Sequence, residues 1–478
     1  MPEEMEQLRA QRSEILELLQ GSSSISRIPL ESQIRPSEIP LTAMQRTPWY
    51  FCETPHPRYP FGLRISGPLN FEFLQKSLDS LVRRHESLRT RILMTGDKPS
   101  QRIDACEEYH LELVDMTGKS SNDVDKSTRS LIKEFIDQKI EPTLGPLFDS
   151  RVFKVADDEH ILVISIDHLI TDAVSIRIFV EELWTMYEQG VNEEPASLTP
   201  LSLQYADYAL WLEKVYPTWR NVHQSYWEKR LAGAPSISWP TDGNTVEHKV
   251  IGLASMKVPI GDRLTAALAG FARRARTLPA LVVLAAYVSA VSRWCNQTDL
   301  TVSFVDNGRH RPALSRMLGL LASHLHLRFE LTRGDKHRDL LELVKMEFYN
   351  ALYHRDFDWV QSLIPQFQPD LLFNWVPLNT KECTTFGSDR PAHKNRLEWL
   401  HLALSREAYS DLKNVLPYKL LLVCCYEGRE LTANLHYRND LFSTEIVDRL
   451  ARNLRFSLES TVYGLPAIPA SNQRDLWD

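Results

Sequence analysis

The apolar positions of this chain change period most sharply between residues 161 and 187. Ile161-Leu162-Val163-Ile164-Ser165-Ile166 is a β-branched apolar run that predicts a buried strand, and Ile176, Phe179, Val180, Leu183 and Tyr187 then recur at helical spacing. A strand therefore hands over to a helix near residues 167–172. Upstream, Gly62 to Ser66 suits a strand, Gly67-Pro68 a turn, and Asn70 an N-cap for a helix whose apolar face is Leu74, Leu78, Leu81 and Val82. Leu88 to Leu93 reads as the next strand and Gly96-Asp97 as a turn, and mixed strands and helices through Asp167 complete a lobe.

A second lobe begins after the turn formers crowded between Gly233 and Asn244. Leu264–Ala275 and Ala280–Trp294 are helical in pattern, the second capped by Thr277 or entered through Pro279. Leu300–Phe304 predicts a strand leading into the loop Asp306-Asn307-Gly308-Arg309. Lys419–Tyr426 and Leu431–Tyr437 pair as antiparallel strands, and Ser443 caps a last helix bearing Val447, Leu450, Leu454 and Leu458. Both halves mix strands with helices at similar length, so the expected class is α/β, with two units facing one another and no short-period repeat. Ahead of them, Glu3–Gln20 patterns as an amphipathic helix, either a docking element or a helix packed on the domain. Gly21-Ser22-Ser23-Ser24 breaks it, and Pro29, Pro36 and Pro40 keep the next stretch extended.

Composition narrows the class. A length of 478 residues exceeds one ordinary core and points to two or three domains. Hydrophobic residues at 43% and charged residues at 24% strike a soluble, globular balance, and a net charge of −7 with interspersed signs argues against nucleic acid as a partner. No window reaches the roughly 20 uninterrupted apolar residues of a membrane span, and Met1–Gln20 is too charged for a secretory segment, so a cytoplasmic protein is expected. The six cysteines, scattered except for Cys424-Cys425, spell neither a zinc cluster nor a disulfide framework. The sequence holds no P-loop and no G-x-S-x-G elbow, so catalysis without a covalent enzyme intermediate is the economical reading.

The candidate chemistry lies at the strand-to-helix junction, Asp167-His168-Leu169-Ile170-Thr171-Asp172-Ala173. Loops on a rigid scaffold carry function, and a histidine there suits a general base near neutral pH, with Asp172 holding the loop or the ring. By spacing alone, a histidine in such a loop is more often a surface or hydrogen-bonded structural residue than a catalyst. A cleft between the lobes would bring supporting groups from the other half.

The order of motifs resembles the condensation domains of nonribosomal peptide synthetases. Pro40-Leu41-Thr42-Ala43-Met44-Gln45-Arg46 with Trp49 is similar to that family's first motif, and Arg84-His85-Glu86-Ser87-Leu88-Arg89-Thr90 to its second. Residues 167–175 align with its active-site HHxxxDGxS. Tyr205–Trp211 is similar to the fourth motif, Leu318-Gly319 through Leu327-Arg328 to the fifth, and His354-Arg355-Asp356-Phe357 loosely to the sixth. Tyr226-Trp227 and Trp239-Pro240-Thr241-Asp242 also match, and the likeness runs from about Pro40 to about Leu465.

The resemblance implies a pseudo-dimer of two chloramphenicol acetyltransferase-like lobes in a V shape with the active site at their interface. On that reading residues 1–36 are an N-terminal helix and linker, 37–215 the first lobe, 216–250 the connection, 251–465 the second lobe and 466–478 the start of a linker toward an adenylation domain. It implies amide formation between an acyl or peptidyl thioester on a donor carrier protein and the amine of an aminoacyl group on an acceptor carrier. The substrates ride on phosphopantetheine, and no cofactor is bound directly. His168 aligns with the catalytic histidine, and Asp172 with a structural Asp paired to an Arg, for which Arg309 is the candidate and Arg89 the reserve. Ser175, Ser323, Asn374 and Trp375 are the candidates for the substrate tunnel.

Two positions depart from the pattern. Asp167 replaces the first His, joins His168 as a catalytic candidate and is expected to raise the imidazole's pKa. Ala173 replaces the Gly, which demands an ordinary backbone there. Asp167, Asp172 and Ser175 also fit the DxxxxDxxS of heterocyclization domains, although the second-lobe motifs do not. A catalytically silent recruitment platform is the third reading.

Overall fold

The computed structural model describes residues 28–51, 58–96, 98–117, 121–138, 141–195, 197–240, 253–332, 337–355, 369–379, 396–400 and 418–464. The expected helix at Glu3–Gln20, Thr241-Asp242, Asp356-Phe357 and everything from Leu465 onward lie outside them. The first half runs β1 (Ile39–Pro40), α1 (Ala43–Phe51), β2 (Arg58–Ser66), α2 (Phe71–Arg84), β3 (Thr90–Thr95), β4 (Lys98–Ile103), β5 (Glu112–Asp115) and α3 (Ser121–Asp137). β6 (Phe148–Ala156), β7 (Glu159–Asp167), α4 (Ala173–Val191) and the long α5 (Tyr205–Leu231) come next. The second half opens with β8 (Leu253–Val258), α6 (Gly261–Arg274), α7 (Pro279–Trp294), β9 (Asp299–Asp306), β10 (Ser323–Glu330) and α8 (His337–Tyr353). It closes with β11 (Leu371–Asn379), β12 (Arg396–Leu400), β13 (Leu420–Glu427), β14 (Glu430–Arg438) and α9 (Thr444–Tyr463).

The first lobe is a five-stranded sheet in the order β12-β2-β7-β6-β5, antiparallel except for the β5–β6 pair. Its central strand explains the unbroken apolar run. Leu162, Ile164 and Ile166 pack with α2 and α4 on one face, while Ile161 and Val163 meet Ile132, Phe135 and Ile136 of α3 on the other. Asn70 caps α2 as expected, its side chain accepting the Phe73 N–H at 3.1 Å. The strand expected from Leu88 begins at Thr90, because Glu86–Arg89 first closes a 3-10 turn that buries Leu88.

The second lobe is a six-stranded mixed sheet, β10-β9-β11-β13-β14-β8, with its core toward α6, α7, α8 and α9. Every residue of α7 from Ala280 to Val291 is buried, which is why that helix is apolar all round rather than amphipathic. It is entered through Pro279 at its first position, with Leu278 as an N-cap that makes no side-chain bond. β13 and β14 form the expected antiparallel pair, and Ser443 caps α9.

Two features cut across the boundaries read from the sequence. β12, counted with the second lobe, adds to the edge of the first lobe's sheet by pairing antiparallel with β2. α5 runs through the position chosen as the end of the first lobe, with Ala206 and Ala209 packed beside Ile39 at one end and Trp227 and Leu231 in the second lobe's core at the other. Hydrophobic periodicity marks a helix but not which core each end joins.

Where the lobes meet, the Tyr205 hydroxyl donates to the Leu320 carbonyl at 2.8 Å and lies 2.8 Å from Thr42 Oγ1. Its ring lies against Gly319, whose φ of +153° suits only glycine and where a Cβ would collide with the ring. Gly319→Ala is therefore expected to cost about 2 kcal/mol or more through combined strain and overpacking. Thermal unfolding of the two proteins side by side checks this; an unchanged Tm would mean that the lobe contact is not tight.

Candidate active site

β7 ends at Asp167, His168–Ile170 forms one 3-10 turn, and Asp172 starts α4. Each aspartate caps the element after it: Asp167 Oδ1 accepts the Leu169 N–H at 2.8 Å, and Asp172 Oδ1 accepts the Ser175 N–H at 2.8 Å. The turn is also held from α1, where the buried Gln45 side chain donates to the Leu169 carbonyl at 2.9 Å and to Gln101 at 3.0 Å. Three side chains thus fix a loop only a few residues long.

Asp172 reaches across to the second lobe. Its Oδ2 accepts Arg309 Nη1 at 2.8 Å and the backbone N–H groups of Leu321 and Ala322 at 3.0 and 3.1 Å. Arg309 Nη2 donates to Ser175 Oγ at 2.9 Å and to the Met317 carbonyl at 3.1 Å, and the Gly319 N–H reaches Ser175 Oγ at 3.1 Å. The two charged side chains are only 3% and 5% exposed, so the pair is a buried one, its other contacts made by backbone groups and by Ser175 Oγ. Gly308 precedes Arg309 with φ +69°, and a Cβ there would strike the Leu321 carbonyl.

His168 lies deep between the lobes yet keeps part of its surface accessible. Its Nδ1 sits 2.9 Å from the Thr171 carbonyl, an acceptor only, so Nδ1 carries the proton and the lone pair falls on Nε2. Burial, opposed by the Thr171 bond and by Asp172, holds the imidazole below the ordinary histidine value. The raised imidazole expected from Asp167 is not what the structure gives: burial sets the direction, and Asp172 is the carboxylate that opposes it.

The remaining candidates divide. Arg309 is the partner of Asp172, whereas Arg89 turns away and donates to the Asp104 carbonyl at 2.7 Å. Ala173 stands in the first turn of α4, where the backbone is helical and glycine is not needed. Ser175 is fully buried in the Asp172–Arg309 network and is not a wall residue. Ser323 lines a cleft of about 190 Å³ with Thr42, Met44, Arg46, Tyr208 and Leu321, a space that reaches the lobe junction from the α5 side without touching His168. Asn374 and Trp375 lie on opposite faces of β11: Asn374 pairs in register with Val305, while Trp375 packs on the helix-covered core near Tyr426.

The second motif proves to be a buried tie between lobes. His85 Nε2 lies 2.7 Å from Glu182 Oε2, which also accepts Arg84 Nε at 2.8 Å, and Glu182 Oε1 takes Arg316 Nη2 from the second lobe at 3.1 Å. Sequence reasoning missed Gln45, Tyr205 and His324, the last of which feels the charge on His168. Gln45 and Tyr205 stood in recognised motifs without a role, and His324-x-His326 at strand spacing was the available signal for a histidine-bearing sheet face.

The chain matches the Condensation domain family over residues 36–469 and belongs to it. It is 25% identical over 437 residues to a linear gramicidin synthase subunit of Brevibacillus parabrevis and 28% identical over 444 residues to malpibaldin synthetase of Mortierella alpina. These matches cover 90% and 91% of the chain but only 8% of each relative, so the chain spans under a tenth of their length. Among solved structures, the X-domain from teicoplanin biosynthesis superposes with a TM-score of 0.74 at 21% identity, covering 91% of this chain and 97% of that one. The fold is accordingly the pseudo-dimer of two chloramphenicol acetyltransferase-like lobes.

Removing one partner of the buried pair strands the other. Asp172→Ala and Arg309→Ala should each destabilise by about 3–5 kcal/mol, and the double variant by clearly less than their sum. Thermal or denaturant unfolding of all three checks this; additive losses would show the pair uncoupled. Stability should also depend on pH. Burial lowers His85, His168, His324, His326 and His354 from the value of 6.5 they hold when exposed, so the unfolded chain binds protons that the folded chain refuses. Their contribution is complete above about 6.5 and is lost as pH falls toward about 4, where His324 and His354 titrate. Tm should drop between about pH 7.5 and about pH 5; a flat profile contradicts it.

Proposed function

We propose that this chain joins a carrier-bound acyl or peptidyl thioester to the amine of a carrier-bound aminoacyl group, forming an amide in nonribosomal peptide biosynthesis. The observation that carries the reading is His168: a neutral imidazole, partly accessible at the lobe junction, with Nδ1 on the Thr171 carbonyl and its lone pair on Nε2. The amine nitrogen attacks the thioester carbon, Nε2 takes the proton released from nitrogen, the C–S bond breaks, and the proton leaves with the pantetheine thiol. A thioester is already activated, so holding the two reactants in place supplies much of the rate. Asp172 and Arg309 keep the imidazole loop against the second lobe.

On this reading the partners are donor and acceptor carrier proteins and an adjacent adenylation domain, with phosphopantetheine entering on the substrates, in the cytoplasm. Amide formation is favoured over cyclisation because Asp167, Asp172 and Ser175, the three residues that fit the cyclization motif, are all engaged in the loop cap and the buried lobe contact.

Purified chain with two loaded carriers, followed by intact mass, is the test. A lengthened acceptor is expected. A further loss of water would mean cyclisation instead, and carrier binding without product a recruitment platform. His168→Ala should cut product formation at least about 100-fold while Tm stays near that of the parent; turnover within a few-fold would remove His168 as the reacting group.

A further inference from the structure

Across the lobe junction from His168, the first residues of β10 carry a second imidazole. Leu321 and Ala322 donate their N–H groups to Asp172, so the strand that starts at Ser323 sets out from the loop that carries His168. Strand alternation turns Leu325, Leu327 and Phe329 into the helix-covered core and His324 and His326 to the other face. His326 is buried, but His324 is partly accessible. In register it opposes Val305, which in turn opposes Asn374, so His324 heads a row of partly accessible side chains across the sheet.

The ring of His324 is backed by a polar network. Its centroid is 5.9 Å from that of Tyr418, whose hydroxyl bonds the Ser303 side chain, and Ser303 Oγ lies 2.7 Å from His326 Nδ1. Burial first, and the charge of His168 second, push His324 down to about 4. Among the described residues, the titratable groups around it are His168, His326 and Tyr418, none of them an anion. A neutral imidazole always holds one ring N–H, and in a poorly hydrated site such a donor stabilises developing negative charge without taking up a proton itself.

Building on the amide-forming reading, we propose that His324 is a second catalytic imidazole, contributed by the opposite lobe, whose N–H donates to the thioester oxygen as the tetrahedral adduct forms. When the amine nitrogen bonds to the carbonyl carbon, the C=O electron pair moves to oxygen and His324 holds that oxyanion. His168 takes the proton from nitrogen. Collapse re-forms C=O, expels sulfur, and His168 returns the proton to the thiolate. The two histidines divide the work, one moving a proton and the other offering one in a hydrogen bond. Asp167, standing where the family motif has its first histidine, gives its Oδ1 to the loop cap and is assigned no part in the proposed step.

The test compares parent, His324→Ala and His324→Gln in the two-carrier assay, together with Tm and pH–rate profiles. His324→Ala should lower the rate about 100-fold, in line with loss of one oxyanion donor, at an unchanged profile midpoint, since that midpoint belongs to His168. His324→Gln keeps an N–H donor and should recover part of the loss. Alanine activity within a few-fold of parent overturns the proposal, as do equal losses in both variants accompanied by a fallen Tm. Histidine NMR titration of the full chain reads the pairing without turnover: the low-titrating resonance lost in His324→Gln should move up in His168→Ala. No movement overturns the pairing. A parent that makes no product in the assay defeats the amide-forming reading and the donor role with it, while the titration still decides whether the two rings face each other.

Discussion

The Asp172 carboxylate is met by the N–H and hydroxyl of Ser175 on one oxygen and by Arg309 and two backbone N–H groups on the other. One small anion thereby starts α4, fixes the loop that carries His168 and anchors the first residues of β10 from the other lobe. Its surroundings are nearly dry, which strengthens each of these bonds and makes an unpaired member costly. Gly308 and Gly319 answer to the same constraint, because the backbone of the second lobe has to come close enough for its amides and the Arg309 fork to reach the carboxylate.

The same dryness governs the chemistry. Burial holds both His168 and His324 below the ordinary histidine value, so both rings are neutral near neutral pH. A neutral ring with its proton pinned to the Thr171 carbonyl presents a lone pair in a fixed direction. That geometry leaves the ring little reorganisation to undergo before it accepts a proton.

Charged motifs at the lobe junction are mostly structural. Arg84, His85 and Arg316 converge on the buried Glu182 carboxylate, and Ser87 Oγ donates to the Leu318 carbonyl at 2.7 Å, so the second motif ties α2, α4 and the second lobe together. Tyr205 does similar work between Thr42 and Leu320. Two halves joined by polar contacts of this kind hold a defined junction while leaving His168 and His324 partly accessible.

Much of this was legible along the chain, because helices, strands and caps depend on neighbours a few residues apart. The run at 161–166, the caps at Asn70 and Ser443 and the last two strands come from periodicity and local hydrogen bonding, and the order of motifs pointed to the family and to His168. The points that the chain alone left undecided depend on residues far apart in sequence. Arg309 rather than Arg89 meets Asp172, β12 joins the other lobe's sheet, Trp375 turns into the core beside an Asn374 that does not, and the proposed place of His324 rests on the strand that Asp172 anchors. The first three outcomes are set by which backbones approach one another when the lobes close, and a charge or a ring acquires its role only from the groups that then surround it.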